Sequence, residues 1–307
     1  YPWGQGAALT LAEDHGAELT IQEVYRKVNP SVVMVMAQLE DSVSVGTGVI
    51  FTSDGYILTN YHVIEGGSDC SITLDTGRTF AAKYVAGDQT QDLAVLKAEE
   101  TGLPAAEFGN SDDLAVGDPV YAIGNPLGYE LRGTLTDGIV SAINRDVTVG
   151  DKVMTLIQTN AALNFGNSGG ALLNQYGQVV GITTIKIVSR DGSSEALGFA
   201  IPSQRVKYVA DRLIAGETLR RAAFGITVDT RQTEQGGLAV LGVEPNSDAA
   251  AQGIQTGDII LRADDIEIHS TQDLTQLKLR RGPGDPVVLT ILRNGQELQV
   301  TIKLIEA

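Results

Sequence analysis

One serine stands in a run of small and polar residues, Asn164-Phe165-Gly166-Asn167-Ser168-Gly169-Gly170-Ala171-Leu172. A serine followed by glycine is accessible, and glycine lets the chain turn sharply. A hydroxyl so placed can act as a nucleophile while the backbone N–H groups of Gly166 and Ser168 hold the developing oxyanion. Gly-Asn-Ser-Gly also suits an ordinary turn, so the segment gains its weight from what stands upstream. His62 closes the apolar run Gly55-Tyr56-Ile57-Leu58-Thr59-Asn60-Tyr61-His62. At the end of a strand its imidazole can be aimed into a cleft as a general base. Asp92 opens Asp92-Leu93-Ala94-Val95-Leu96-Lys97. A carboxylate at the start of an apolar strand is partly buried and needs a partner. An imidazole N–H would satisfy it and set the tautomer that base catalysis requires. Asp88 fits that role equally well on residue chemistry alone. His15, in Glu13-Asp14-His15-Gly16, reads as solvated, and His269 has no chemical role in this pattern.

The elements that must position these residues are mostly short strands. Runs of β type with turn signals between them fall at 31–38, 43–51, 56–63, 70–74, 92–98, 119–123, 133–143, 153–159, 171–174, 179–188 and 197–201. Strands at this density predict a mainly β architecture of barrels or sandwiches, and the absence of βαβ alternation counts against parallel α/β folds. Thr20-Ile21-Gln22-Glu23 is a capping box that opens a short helix to about Val28, stopped by Asn29-Pro30. A second helix is expected at 203–215, capped by Ser203, with Val206, Val209, Ala210 and Leu213 on one apolar stripe. The order is then an N-terminal arm (1–19), a catalytic domain (20–216), a charged linker (217–221) and a smaller α+β unit (222–307). That last unit has strands near 224–228, 238–243, 258–263, 287–293 and 298–304 and helices near 247–252 and 271–281. Its Arg293-Asn294-Gly295-Gln296 is a hairpin turn.

Composition narrows the functions. With 307 residues and 43% hydrophobic content the chain can build two or three cores. A net charge of −16 argues against nucleic acid as a partner. The single cysteine, Cys70, allows no intrachain disulfide and reads as a small strand residue. Three histidines, with neither Cys-x-x-Cys nor His-Glu-x-x-His, give no expectation of a metal or other cofactor. Residues 153–185 carry no charge, yet their glycines, asparagines and glutamines mark a buried-to-cleft segment rather than a membrane span. The opening Tyr1-Pro2-Trp3, without an initiator Met, reads as a processed form.

The order His, Asp, Ser is that of chymotrypsin-like enzymes and differs from those of lipases and subtilisins. With Gly55–Ile64, Asp92–Lys97, Ala122-Ile123-Gly124-Asn125-Pro126-Leu127-Gly128, Thr136-Asp137-Gly138-Ile139-Val140-Ser141, Asn164–Leu172 and Gly198-Phe199-Ala200-Ile201-Pro202, the chain resembles the HtrA/Deg family of serine proteases over nearly all of residues 21–215. The resemblance implies a chymotrypsin/trypsin-like double β-barrel with the triad in its cleft, and it selects Asp92 as the acid. It also implies homotrimers or higher multiples built through the arm and the protease domain; Tyr1 and Trp3 are candidate apolar anchors for that contact, the alternative being a tag-like end. The implied setting is the bacterial cell envelope or secretion, anchored to a membrane by a segment before Tyr1.

Ala223-Phe224-Gly225-Ile226 resembles the carboxylate-binding loop of a PDZ domain, whose N–H groups hold a peptide C-terminus while the next strand pairs with it. Val243–Ala250 and Gly257–Ile260 resemble later PDZ segments, and Leu274, Leu277 and Lys278 are candidates to line the groove. In the protease part, Leu163, Asn164, Thr184, Ile185 and Lys186 are the expected substrate-binding residues, with a preference for small or medium aliphatic side chains before the cut. Two positions depart from the family pattern: Asn160 stands where Asp is usual, and Lys186 where the pocket is usually apolar. Strand alternation is expected to turn Lys186 to solvent; pointing inward, it would instead favour an acidic or polar side chain before the cut. Residues 144–153 and 188–195 are expected to be loops near the cleft. The function implied is an ATP-independent endopeptidase of protein quality control that cleaves unfolded or misfolded proteins. The alternative is a chaperone-like or peptide-binding protein whose triad is at rest.

Overall fold

The computed structural model describes residues 7–13, 15–125, 132–149, 152–164, 166–184 and 197–307. The chain divides into two compact units, Tyr1–Thr218 and Leu219–Ala307.

The first unit holds two closed six-stranded barrels. Strands β1 (Val32–Gln38), β2 (Val43–Ile50), β3 (Tyr56–Thr59), β4 (Asp69–Thr73), β5 (Thr79–Asp88) and β6 (Leu93–Ala98) close in the order β1-β2-β3-β6-β5-β4. Strands β7 (Pro119–Gly124), β8 (Thr134–Val149), β9 (Lys152–Thr159), β10 (Ala171–Leu173), β11 (Val179–Thr183) and β12 (Gly198–Pro202) close in the order β10-β11-β12-β9-β8-β7. Val33, Val35, Ile57, Ile72, Ala94 and Leu96 fill the first barrel, and Val120, Val140, Ile157, Leu172 and Val180 fill the second. Closure pairs every barrel strand on both edges, so among the described residues neither barrel leaves a sheet edge open to aggregate.

Helix α1 (Ile21–Val28) starts at the expected capping box, with Glu23 N–H donating to Thr20 Oγ1 and Thr20 N–H donating to the Glu23 carboxylate. Four expectations are corrected. The strand expected to reach Val63 stops at Thr59, and His62 lies instead in a one-turn helix, α2 (Tyr61–Ile64). Strand β5, with its mixed charges and its exposed Lys83 and Tyr84, carried no clear apolar run and was not expected. Residues 144–149 and 152–153, expected as a loop, are the arms of the β8–β9 hairpin. Ser203 does not cap α3 (Ser203–Ile214), whose N-cap is Pro202; its buried hydroxyl accepts from Ser111 N–H and donates to Gly109 C=O. The apolar stripe of α3 is buried as expected. The arm is docked over 7–13 and 15–19: Leu9 is buried, its N–H donates to Asp211, and Leu11 bridges to Phe108. Tyr1, Trp3 and residues 188–195 lie outside the described residues.

The second unit is α+β. Strand β13 (Ala222–Ala223) pairs with β20 (Ile305–Glu306). Strands β14 (Ile226–Gln232), β15 (Leu238–Val243), β16 (Ile259–Ala263), β18 (Pro286–Arg293) and β19 (Gln296–Lys303) form one sheet in the order β14-β15-β16-β18-β19, with β17 (Ile266–Glu267) beside β16. Helices α4 (Asp248–Ala251) and α5 (Thr271–Leu279) complete it. Leu274 and Leu277 both enter the core with Leu238, Ile260, Leu289 and Ile302. The Asn294-Gly295 turn has φ of 51° and 77°, the double left-handed conformation that a two-residue hairpin needs. Asp258, its side chain 1% exposed, accepts two bonds of 2.7 Å from Arg293.

Removing one partner of such a buried pair strands the other charge, at about 3–5 kcal/mol. Arg293→Met should therefore lower amide exchange protection at Leu289 and Ile291 while leaving Ile157 and Leu172 unchanged. Equal loss at both sets, or at neither, would contradict a stabilising role confined to this unit.

Candidate active site

Asp92 sits just before β6 with φ of 51°, left-handed backbone that Asp tolerates better than most residues. The turn is held where Asn60 Nδ2 donates to the Asp92 carbonyl at 2.9 Å. It directs the carboxylate inward, to a side-chain exposure of 10%. That carboxylate accepts from three donors. His62 Nδ1 lies 2.9 Å from both oxygens, the His62 backbone N–H reaches Oδ1 at 3.1 Å, and Thr184 Oγ1 donates to Oδ2 at 2.8 Å. The backbone bond satisfies an N–H of the first turn of α2 that has no partner within the helix. With Nδ1 as donor, Nε2 keeps its lone pair and can take a proton. The His62 side chain is 39% exposed, so that face is open to a substrate. Asp88, which residue chemistry left equal to Asp92, accepts from Gln91 N–H within its own turn.

Ser168 is half-buried, and Ser168 Oγ makes no hydrogen bond among the described residues. Around it Asn167 N–H donates to Asn164 C=O, Gly169 N–H to Thr183 C=O and Gly170 N–H to Asn167 C=O, at 3.0, 2.8 and 2.9 Å. The N–H groups of Gly166 and Ser168 have no acceptor among the described residues. N–H donors without a protein acceptor in a serine-bearing loop are the kind of group that an acyl-transfer oxyanion needs. Gly166 has φ of 95° and Gly169 of 86°, and a Cβ on Gly169 would lie 2.0 Å from Thr47 C=O.

The expected substrate-binding residues are placed unequally. Asn164 is exposed and ends this loop. Leu163 is 2% exposed and packs in the second-barrel core. The hydroxyl of Thr184 faces Asp92. Ile185 and Lys186 lie outside the described residues. Asn160 Oδ1 accepts from Ile139 N–H at 2.8 Å, a bond that its amide makes without the charge of an aspartate. Among the described residues no cluster of His, Cys, Asp or Glu could hold a metal. Sequence reasoning missed Thr47, Asn60 and Thr183. Their one signal is a polar residue inside a run of small or apolar ones.

In the second unit Gly225 has φ of 69°, and its C=O accepts from Glu244 N–H. The N–H groups of Phe224 and Gly225 have no acceptor among the described residues. Strand β14 is an edge, paired with β15 alone in its sheet.

Comparison with known proteins agrees with this geometry. Residues 46–182 match the trypsin-like peptidase domain and residues 222–304 the PDZ domain. Serine endoprotease DegS of Haemophilus influenzae is 37% identical over 302 residues, covering 94% of this chain and 88% of that protein. A probable periplasmic serine endoprotease, DegP-like, of Halomonas elongata is 39% identical over 273 residues, covering 86% of this chain and 56% of that longer protein. The solved structure of the HtrA-type protease AlgW with tripeptide superposes with a TM-score of 0.70 at 34% identity, covering 94% of this chain and 98% of that one. Two closed barrels, a bonded His62–Asp92 pair and a PDZ unit thus coincide with relatedness along nearly the whole chain, which belongs to the HtrA/Deg family of serine endoproteases.

Proposed function

We propose that the chain is an ATP-independent endopeptidase of protein quality control that cleaves unfolded or misfolded proteins with Ser168, His62 and Asp92. The observation that carries the reading is the His62–Asp92 pair, whose Nε2 is left as acceptor, together with a serine loop in which the N–H groups of Gly166 and Ser168 have no acceptor among the described residues. His62 Nε2 takes the Ser168 proton as Oγ attacks the peptide carbonyl carbon. The Gly166 and Ser168 N–H groups take the negative charge that builds on the carbonyl oxygen. The proton passes to the leaving amine, and water then hydrolyses the acyl-enzyme with His62 again as base. Asp92 orients the ring and stabilises its charged form without accepting the proton.

The second unit supports capture of peptide C-termini. The free N–H groups of Phe224 and Gly225 suit a terminal carboxylate, and the β14 edge can pair with the peptide backbone. The solved structure of the HtrA-type protease AlgW, similar to this chain over 94% of its length, is one with a tripeptide. Assembly as homotrimers or higher multiples, with an extracytoplasmic location, completes the proposal; the periplasmic relative supports the location. A second reading, a peptide-binding protein with a resting triad, is favoured by Ser168 Oγ, which is unbonded among the described residues. Catalytic bonds of unliganded enzymes often tighten only around substrate, which leaves endopeptidase the better reading.

Digestion of an unfolded model protein separates the two. The intact chain should cleave it and Ser168→Ala should not, while Asp92→Asn should lower kcat about 10⁴-fold. No cleavage by the intact chain, even with a PDZ-binding peptide present, would favour the binding role. Fluorescence anisotropy tests the groove. A peptide with a free C-terminus should bind about ten- to a hundredfold more tightly than its C-terminal amide, the difference expected for hydrogen bonds to a charged group. Equal affinities would remove the carboxylate-binding role of Phe224 and Gly225.

A further inference from the structure

We propose that the buried hydroxyls of Thr47 and Thr183, one from each barrel, are positioning residues that aim the two oxyanion-binding N–H groups. The assignment rests on the reading of Gly166 and Ser168 given above.

Thr47 lies in β2 and Thr183 at the end of β11, and both are 0% exposed. Asn125 N–H reaches Thr47 Oγ1 at 2.9 Å. An N–H can only donate, so the Thr47 hydroxyl proton is directed at its other neighbour, the Gly166 carbonyl, 2.6 Å away. The Asn167 N–H of that same peptide donates to Asn164 C=O at 3.0 Å. The plane after Gly166 is therefore held at both ends, and the Gly166 N–H hangs from it through the two dihedrals of one left-handed glycine. Without the Thr47 bond only the Asn167 N–H end of that plane is held, and glycine itself resists rotation little.

Thr183 acts on the other donor. Its Oγ1 donates to Asn167 C=O at 2.7 Å, and Gly170 N–H reaches the same oxygen at 2.9 Å. The Asn167 C=O and the Ser168 N–H belong to one trans peptide, in which they point in opposite directions. Fixing the carbonyl on the barrel side thus turns the Ser168 N–H away from it. The backbones of the two threonines add to the clamp. Thr47 N–H donates to Ser168 C=O, and Thr183 C=O accepts from Gly169 N–H. Thr59 Oγ1 in turn holds Thr47 C=O. The loop is gripped from both barrels by groups that the triad does not use.

Steady-state cleavage of a quenched fluorescent peptide by the full chain tests this, with Thr47→Val, Thr183→Val, Thr47→Ser, Thr183→Ser and Ser168→Ala. Loss of a direct oxyanion donor costs about 10²–10³ in kcat, so an indirect clamp should cost less. Thr47→Val should lower kcat about 10–100-fold with KM within about threefold, and Thr183→Val should lower it less, because Gly170 still holds Asn167 C=O. Both serine variants, which keep the hydroxyl and lose the methyl, should stay within about threefold of the intact chain. Affinity for a peptide aldehyde, which forms the oxyanion on Ser168, should fall in step with kcat, while affinity for the cleaved product peptide should not move. Unchanged kcat in Thr47→Val, a loss carried by KM, or serine variants as impaired as the valines would overturn the assignment. If Thr47→Val does not fold, Thr183→Val carries the same test. Cleavage retained by Ser168→Ala would remove the underlying catalytic reading, whereas its loss beside a fully active Thr47→Val would remove the threonine clamp alone.

Discussion

A carboxylate that is nearly buried must be surrounded by donors or it will not stay ionised and folded. Asp92 meets that demand with the His62 ring, the His62 backbone N–H and the Thr184 hydroxyl. The first two come from the first barrel and the third from the end of a strand in the second. Satisfying one charge therefore fixes the orientation of an imidazole, the entry of a one-turn helix and the approach of two sheets. The left-handed backbone at Asp92 is part of the same constraint, a local cost held in place by Asn60 and offset by the bonds it makes available.

The serine loop meets the complementary demand. It must keep two N–H groups free of protein acceptors, which in a folded interior is normally destabilising. The neighbouring groups are correspondingly well bonded: the carbonyls of Gly166, Asn167 and Ser168 and the N–H groups of Asn167, Gly169 and Gly170 all have partners. Closed barrels supply the stiffness for this, because their strands are paired on both sides and cannot shift register without breaking two ladders. The second unit follows the opposite principle. Its β14 edge and its Phe224–Gly225 turn leave backbone groups without partners among the described residues, the kind of open edge to which an extended chain can add.

The patterns that read correctly from the sequence were local ones. The capping box of α1, the apolar stripe of α3, the Asn294-Gly295 hairpin and most barrel strands each depend on residues within a few positions of one another. The strand boundary at Thr59 failed because Asn60, Tyr61 and His62 continue an extended-looking run. The turn into α2 is instead set by bonds to Asp92, thirty residues away. Strand β5 failed because Lys83 breaks its apolar run and its exposed positions mix Thr79, Ala81 and Tyr84, so that its pairing to β4 and β6, not its own pattern, makes it a strand.

The sequence by itself carried the family resemblance, the mainly β class and the identities of His62, Asp92 and Ser168 as candidates, since residue type and motif order carry all of these. On residue chemistry alone it left Asp88 and Asp92 equal, and it assigned Thr184 to substrate. Only the tertiary structure decided that the Asp92 carboxylate faces His62, that Thr184 donates to that carboxylate, and that Thr47 and Thr183 bond the serine loop from opposite sides. The reason is physical: a hydroxyl's role is set by the acceptor it reaches, and these acceptors are brought within 3 Å by the packing of two barrels from positions far apart in the chain.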